Sequence, residues 1–569
     1  MRLYATMLRR SLPRAAIVAA TLSAASLAAA PALIAQKFPQ DSISRQVDSI
    51  FARWNSTSAP GCAVGVRNHG TVVLERGYGM ASLEDGVAIR PGTIFQIGSV
   101  SKQFTVMAIL LLERDGKLSL DDDVRKYIPE LPDYGTRMTI RHMLSHTSGL
   151  RDEVALFYFA HGPRFIFTMS DGVTLVARQK ALNFTPGAEY LYSNSGYMLA
   201  AVIAERVSGE SLSDFTRKRV FEPLGMTRSH IRDDYTEVVP GLATSYGPER
   251  GGGWHIEFPS HNVIGSTNVM TTVGDLLRWE ENFEHPVVGD SAILNAMQSK
   301  SVLTNGDSIA YGLGLVSGVY RGLPTVGHSG SDQGYRSQLL RFPTRSLAVA
   351  VLCNAGSASP STLADRVADV YLDLAGVPPA DSAPPVTLAP SVLAAYAGSY
   401  LNRESGRALR LSVRDGELVQ GRVPRSGDAG GTRIVPLGDD RFTFGSGTEM
   451  VFPANGRLEL RATFPARVTD RLERVAPFTS RPGSLAVYAG SYRSDELGTT
   501  YTITATDTSL VLEAPIAGGD EITVYPLTMD VFDGGPVVQF TRNAAGNVDG
   551  LFLTSPRSRR MRFVRVRGT

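Results

Sequence analysis

Three short stretches carry side chains that can make and break bonds. The first is Gly98-Ser99-Val100-Ser101-Lys102. Residues three apart on a helix share a face, so Ser99 and Lys102 fall side by side. Residues 106–112 are apolar on every face, which predicts that this helix is buried along its length. A lysine held there must be paired or lose its proton more readily than usual, and a serine becomes a useful nucleophile only with such help. The helix N-terminus also favours negative charge developing on the serine oxygen. The second stretch, Tyr192-Ser193-Asn194, offers a phenol and a carboxamide that can grip an amide. The third, Gly327-His328-Ser329-Gly330-Ser331, precedes a strand beginning near Ser337, and Gly330 allows a substrate backbone to approach the strand edge closely. Taken singly, each also has a plain structural reading: a helix-capping serine with a lysine reaching to solvent, a turn tyrosine like that of Tyr400-Leu401-Asn402, and a satisfied strand histidine.

The surrounding elements must bring these stretches together. Residues 62–66 and 71–75 alternate as strands around the turn Asn68-His69-Gly70, and residues 337–342 and 347–353 read as two more strands. Strands at both ends with helices between predict an α/β (α+β) domain over 36–375, with one antiparallel sheet built from both termini and flanked by helices. A proline-rich linker follows at 376–390. The helical period then disappears. Tyr396-Ala397-Gly398-Ser399-Tyr400 is repeated as Tyr488-Ala489-Gly490-Ser491-Tyr492, and each copy closes on an Arg-rich alternating stretch. These features predict two small all-β, barrel-like domains at 391–480 and 481–569, with their arginines on outward strand positions.

Composition narrows the function classes. A chain of 569 residues with 43% hydrophobic and 20% charged residues is globular and too long for a single core. Its net charge of +2 gives no electrostatic footprint for nucleic acid. Two cysteines cannot build a Cys-based zinc site, and the H-E-x-x-H, G-x-x-x-x-G-K-[ST] and G-x-S-x-G signatures are missing. No cofactor and no metal are expected. Arg2, Arg9, Arg10 and Arg14 precede an apolar run over 15–30, then Ala30-Pro31-Ala32 and Ala35 offer cleavage sites. Residues 1–35 therefore read as a secretory signal peptide, which predicts a periplasmic or secreted protein; left uncleaved, the segment is a membrane anchor.

Together and in this order, the three stretches resemble the S-x-x-K, Y-x-N and K/H-x-G motifs of the serine β-lactamase and penicillin-binding protein superfamily, in its class C β-lactamase and D,D-peptidase branch. The phrases Phe95-Gln96-Ile97-Gly98-Ser99, Leu144-Ser145-His146-Thr147-Ser148-Gly149, Pro223-Leu224-Gly225-Met226 and Tyr311-Gly312-Leu313-Gly314 are similar too. The resemblance spans about 41–375, and the tail is similar to that of D-aminopeptidases, family members with appended β-barrels. It implies that Ser99 forms an acyl-enzyme, that Lys102 and Tyr192 share the proton transfers, and that Asn194 orients a substrate amide. Backbone N–H groups of Ser99 and Ser331 form the oxyanion hole, His328 lines the place of a substrate carboxylate or of the Tyr192 hydroxyl, and Ser329 and Gly330 line the substrate side. Which of Lys102 and Tyr192 is the base stays open. His328 departs from the lysine of class C β-lactamases, and a histidine is largely neutral at pH 7. His142 and His146, four apart, mimic a metal pair, but their place in the His-Thr-Ser-Gly phrase assigns them to structure. The same resemblance sets Cys62 beside Cys353, with a disulfide left open. The expectation is an exported serine hydrolase acting on amide or ester bonds, foremost in D-amino-acid peptides. The alternatives are a class C-type β-lactamase, a carboxylesterase, and a non-catalytic penicillin-binding or cell-wall sensor protein. Its partners would be a small-molecule or peptide substrate and the cell wall; the β modules would shape access, pair two copies as a homodimer, or act as spacers.

Overall fold

Cys62–Asn68 and Thr71–Tyr78 pair antiparallel around a turn in which His69 and Gly70 both take positive φ, 45° and 80°. That is the backbone twist a tight hairpin needs. The computed structural model describes residues 42–162, 166–249, 251–258, 261–374, 386–421, 431–443, 448–453, 456–476, 478, 480–514 and 521–566. The signal-peptide reading of 1–35 and most of the linker fall outside these residues. Among the described residues, no helix is long and apolar enough to cross a membrane.

The main sheet has six antiparallel strands, in the order Val316–Tyr320, Leu323–Asp332, Tyr335–Phe342, Leu347–Cys353, Cys62–Asn68 and Thr71–Tyr78. It is built from both ends of the domain, as the sequence predicts, because the last strand of the body lies beside the first. Cys62 and Cys353 face each other in that register and are joined by a disulfide, which answers the pairing left open. Both faces are covered, so Leu347–Cys353 is buried throughout and reads as a continuous apolar run. Helices Ser42–Phe51 and Pro360–Tyr371 pack on one face. On the other lies the main core, where Lys102–Arg114 is buried from Lys102 to Leu112 and packs against Ser195–Ser208.

The tail forms two closed eight-stranded antiparallel barrels, with strands running from Gly398–Leu401 to Ala466–Val475 and from Gly490–Ser494 to Met561–Arg565. The repeated pentapeptides do the same work in each. The Tyr400 hydroxyl donates to the Tyr396 carbonyl and that of Tyr492 to Tyr488, both at 2.8 Å. Arg474 and Arg565 on the closing strands donate to the carbonyls of Ala397 and Ala489. Arg471, Arg474 and Arg562 are exposed, as expected of outward strand positions, and Arg565 is half-buried.

The second barrel is fastened to the catalytic domain. Arg151 Nη1 lies 2.9 Å from Glu496 Oε1, with the two side chains 2% and 6% exposed. The same guanidinium donates to the Arg559 and Arg560 carbonyls, and Glu496 also accepts from the Lys180 and Arg562 N–H groups. Removing one partner of a buried pair strands the other charge, so Glu496→Ala is expected to cost about 3–5 kcal/mol. The expected readout is a lowered urea midpoint; an unchanged midpoint would contradict this account of the docking.

Candidate active site

Ser99 lies in the 3₁₀ turn Gly98–Ser101, which runs straight into the helix beginning at Lys102. Lys102 is fully buried, and its Nζ lies 3.0 Å from Ser99 Oγ, 2.8 Å from Asn194 Oδ1 and 2.8 Å from the Ser266 carbonyl. Burial is the largest influence on this amine and pushes its pKa down to about 7; Glu153 pulls it up and Arg557 lowers it further. The three contacts define what deprotonation does. A neutral amine has two N–H groups and one lone pair. Two carbonyl oxygens take the N–H groups, so the lone pair faces Ser99.

Tyr192 meets the same point from the other side, with Lys102 Nζ 4.9 Å from its ring centre. Its hydroxyl is buried with no hydrogen-bond partner of good geometry. Burial holds the phenol well above its ordinary range, and the nearby Ser99 hydroxyl lowers it only in part. Asn194 stands just before the helix Ser195–Ser208, and its N–H donates to Asp152 Oδ2 at 2.9 Å. Because its side-chain oxygen is committed to Lys102, its NH₂ is the group left for a substrate carbonyl. His142 and His146 go to separate backbone partners: His142 Nδ1 accepts from Thr139 and His146 Nδ1 from Ser193. The His146 ring packs 4.1 Å from that of Tyr192. Among the described residues, no group of three His, Cys, Asp or Glu side chains is arranged to hold a metal ion.

The strand Leu323–Asp332 passes directly over the start of the serine turn. A Cβ on Gly98, whose φ is +51°, would lie 2.6 Å from the Ser331 nitrogen. The absence of a side chain there is what lets the Ser331 backbone lie against Gly98, the residue before Ser99. Gly330 has a comparable reason: a Cβ would lie 2.0 Å from the Ile97 carbonyl oxygen. The glycine admits the protein's own chain, rather than a substrate backbone as the sequence suggests. The neighbouring strand Val316–Tyr320 pairs only as far as Gly327. Residues 328–332 therefore have a strand partner on one side alone among the described residues, with Ser329 and Ser331 exposed to the cleft.

His328 is buried, and its Nε2 lies 3.1 Å from the Tyr311 hydroxyl rather than against Tyr192. Its Nδ1 lies 2.5 Å from the Ser329 carbonyl, which makes Nδ1 the protonated nitrogen and Nε2 the acceptor. Burial, then Lys102, lowers its pKa to about 4. A neutral imidazole with both nitrogens occupied cannot serve as a cation for a substrate carboxylate.

The cleft has a volume of about 1270 Å³ and includes Ser99, Tyr192, Asn194 and the strand residues 328–332. It also includes residues to which the sequence assigns no role at the site. Tyr311 orients His328, and Ser266 supplies the carbonyl that holds Lys102. Asp332 accepts from Gln96 and Thr267 at 2.7 Å each and pairs with His261 at 3.2 Å. Arg557 and Thr448 come from the two barrels.

Comparison with known proteins agrees with this geometry. The family model described as Beta-lactamase matches residues 46–372. The chain is 26% identical over 519 residues to a D-aminopeptidase of Brucella canis, covering 86% of this chain and 93% of that protein. The fold is shared with an octameric penicillin-binding protein homologue from Pyrococcus abyssi, at a TM-score of 0.55 and 24% identity, covering 76% of this chain and all of that one. It is shared also with a D-amino acid amidase from Ochrobactrum anthropi SV3, at 0.50 and 23%, covering 59% and all of that chain. With the matched region spanning more than half of its length, the chain belongs to the beta-lactamase family and is a serine hydrolase.

Proposed function

We propose that the protein is an exported hydrolase that cleaves amide or ester bonds in D-amino-acid-containing peptides through an acyl-Ser99 intermediate. The observation that carries this reading is the Lys102 amine, fully buried, depressed in pKa and 3.0 Å from Ser99 Oγ. Lys102 takes the Ser99 proton as the oxygen attacks the substrate carbonyl. The N–H groups of Ser99 and Ser331 receive the oxyanion, typically the largest electrostatic contribution to acyl transfer. The bond to the leaving group then breaks, and that group takes a proton relayed from Lys102 through Tyr192. Water attacks the acyl-enzyme by the reverse sequence. Similarity to a D-aminopeptidase supports the substrate class, and the Cys62–Cys353 disulfide supports export to an oxidising compartment.

N-Acetyl-D-alanyl p-nitroanilide and its L-enantiomer, which carry no ammonium group, test the substrate class. Hydrolysis of the D form in clear preference is expected; equal hydrolysis of both would contradict it. The pH profile tests the base. Lys102 is the active base only when neutral, so kcat/KM is expected to climb with pH and level off just above 7. A rise that continues past about 10 with no plateau near 7 would assign the step to the Tyr192 phenolate instead.

A further inference from the structure

Arg557 sits in the turn between the last two strands of the second barrel, yet it lines the reaction cleft. Its guanidinium carbon lies 4.7 Å from the centre of the Tyr192 ring. Its carboxylate neighbour is Asp152, at 3.9 Å, and that carboxylate already accepts from the Asn194 and Ala155 N–H groups. The turn is fixed: the Arg557 carbonyl accepts from Asn183 at 3.0 Å, and the Asp152 N–H donates to Ser558 Oγ at 3.1 Å. The arginine is thus held at the cleft wall with about half of its side chain exposed.

Behind it lies a second chamber of about 510 Å³, bounded by both barrels and sharing Tyr190, Tyr192 and Arg557 with the cleft. Five arginines line this chamber against two carboxylates, Asp470 and Asp533. Arg407 and Arg410 face those carboxylates at 3.7 and 3.4 Å, and Arg559 faces Glu189 at 3.0 Å. Arg467 is left, with its Nε buried and without a hydrogen-bond partner. Arg467 and Arg557 both lie near enough to Tyr190 to pull its pKa down against the larger upward push of burial. Arg557 therefore lines the reaction cleft and Arg467 the chamber behind it, where Asp307 and Glu189 are the carboxylates that act on Arg467 from further off.

We infer that Arg557 and Arg467 form an anion subsite contributed by the two barrels, which selects substrates carrying a carboxylate beside the bond cleaved at Ser99. The neutral His328 leaves that role unfilled within the catalytic domain. The inference rests on the hydrolase reading above and adds the charge of the substrate. It disfavours substrates that place an ammonium group against Arg557.

The test uses matched esters: 3-carboxyphenyl against phenyl acetate for the leaving group, and the p-nitrophenyl monoester of glutarate against p-nitrophenyl valerate for the acyl group. At least one anionic member is expected to be preferred by kcat/KM. That preference should fall about 10–100-fold in Arg557→Gln, the range of a lost charge-assisted hydrogen bond, with a loss also in Arg467→Gln and partial retention in Arg557→Lys. Taking the ratio cancels the effect of Arg557 on Lys102. No preference in the parent, or one that survives both substitutions, would overturn the inference. Calorimetric binding of glutarate to Ser99→Ala reads the subsite without turnover. Binding weakened by Arg557→Gln is expected, and its absence at millimolar glutarate would also overturn the inference. Failure of the parent to hydrolyse any ester, with glutarate still bound, would instead count against the hydrolase reading alone.

Discussion

Ser99→Ala is expected to abolish turnover of every ester and amide substrate, with kcat falling by about 10⁴–10⁶-fold, the range seen when the nucleophile of a hydrolase is removed. The effect is large because no other hydroxyl can take its place. Ser101 is buried and its oxygen accepts from the Val269 N–H at 3.1 Å. Ser331 is on the strand edge beside Gly98, and its hydroxyl is not among the groups that Lys102 holds. The fold should be unaffected, because the Ser99 side chain is only half-buried and Lys102 keeps its two other acceptors. Steady-state kinetics with an unfolding curve checks both points. A Ser99→Ala enzyme that still turns over a p-nitrophenyl ester at a substantial fraction of the parent rate would refute the assignment.

Lys102→Met is expected to reduce kcat/KM by about 10²–10⁴-fold, the contribution of a positioned general base. Methionine is close in length and unbranched, so it fills the buried channel between Ser99 and Asn194 without the amine. The oxygens that Lys102 Nζ touches are neutral, so the substitution strands no partner charge at contact and costs the hydrogen bonds to Asn194 and the Ser266 carbonyl, about 1–3 kcal/mol each. The variant should therefore lose activity without losing the fold, and its residual rate should lose the rise near pH 7. The same measurement separates a hydrolase from a binding protein. A pure ligand-binding site has no use for a depressed amine, so ligand binding unchanged in Lys102→Met, with no ester turnover above background in parent or variant, would favour the sensor reading. Tyr192→Phe supplies the complementary comparison: in this account the phenol relays a proton but does not start the reaction, so it is expected to cost less than Lys102→Met.

The parts of this site that could be read from sequence are those set by local geometry. Ser99 and Lys102 are three residues apart on one helical turn, and that spacing alone brings the oxygen and nitrogen together. Gly330 is legible as a position of close approach, although the backbone that comes close is the protein's own, whereas the need for glycine at 98 shows only in the fold. Strand alternation and the repeated pentapeptide foreshadow both barrels, because period-2 patterning is local as well. What could not be read depends on contacts far apart in the chain. The carbonyl of Ser266 reaches Lys102 across 164 residues, and Arg151 meets Glu496 across 345. His328 offers no hint in its own neighbourhood that Tyr311, rather than Tyr192, takes its ring nitrogen. Arg557 is the sharpest case. In an Arg-rich alternating tail it looks like any outward-facing strand arginine. Only docking of the second barrel on Arg151 and Asp152 turns its hairpin toward Ser99.

The docking also couples the modules. Asp152 receives the Ser558 hydroxyl on its backbone and the Asn194 N–H on its carboxylate. Asn194 in turn holds Lys102. Undocking the barrel by Glu496→Ala therefore removes Arg557 from the cleft and loosens the segment that positions the base. Stability and selectivity should decline together in that variant.

Peptide mass spectrometry after exposure to a fluorophosphonate, a penicillin and a D-alanyl ester reads the central claim directly. A covalent adduct on the peptide containing Ser99 is predicted, and it should be absent in Ser99→Ala and slowed in Lys102→Met. An adduct on a different residue, or catalytic turnover with no adduct at Ser99 under any of the three reagents, would contradict the acyl-serine account.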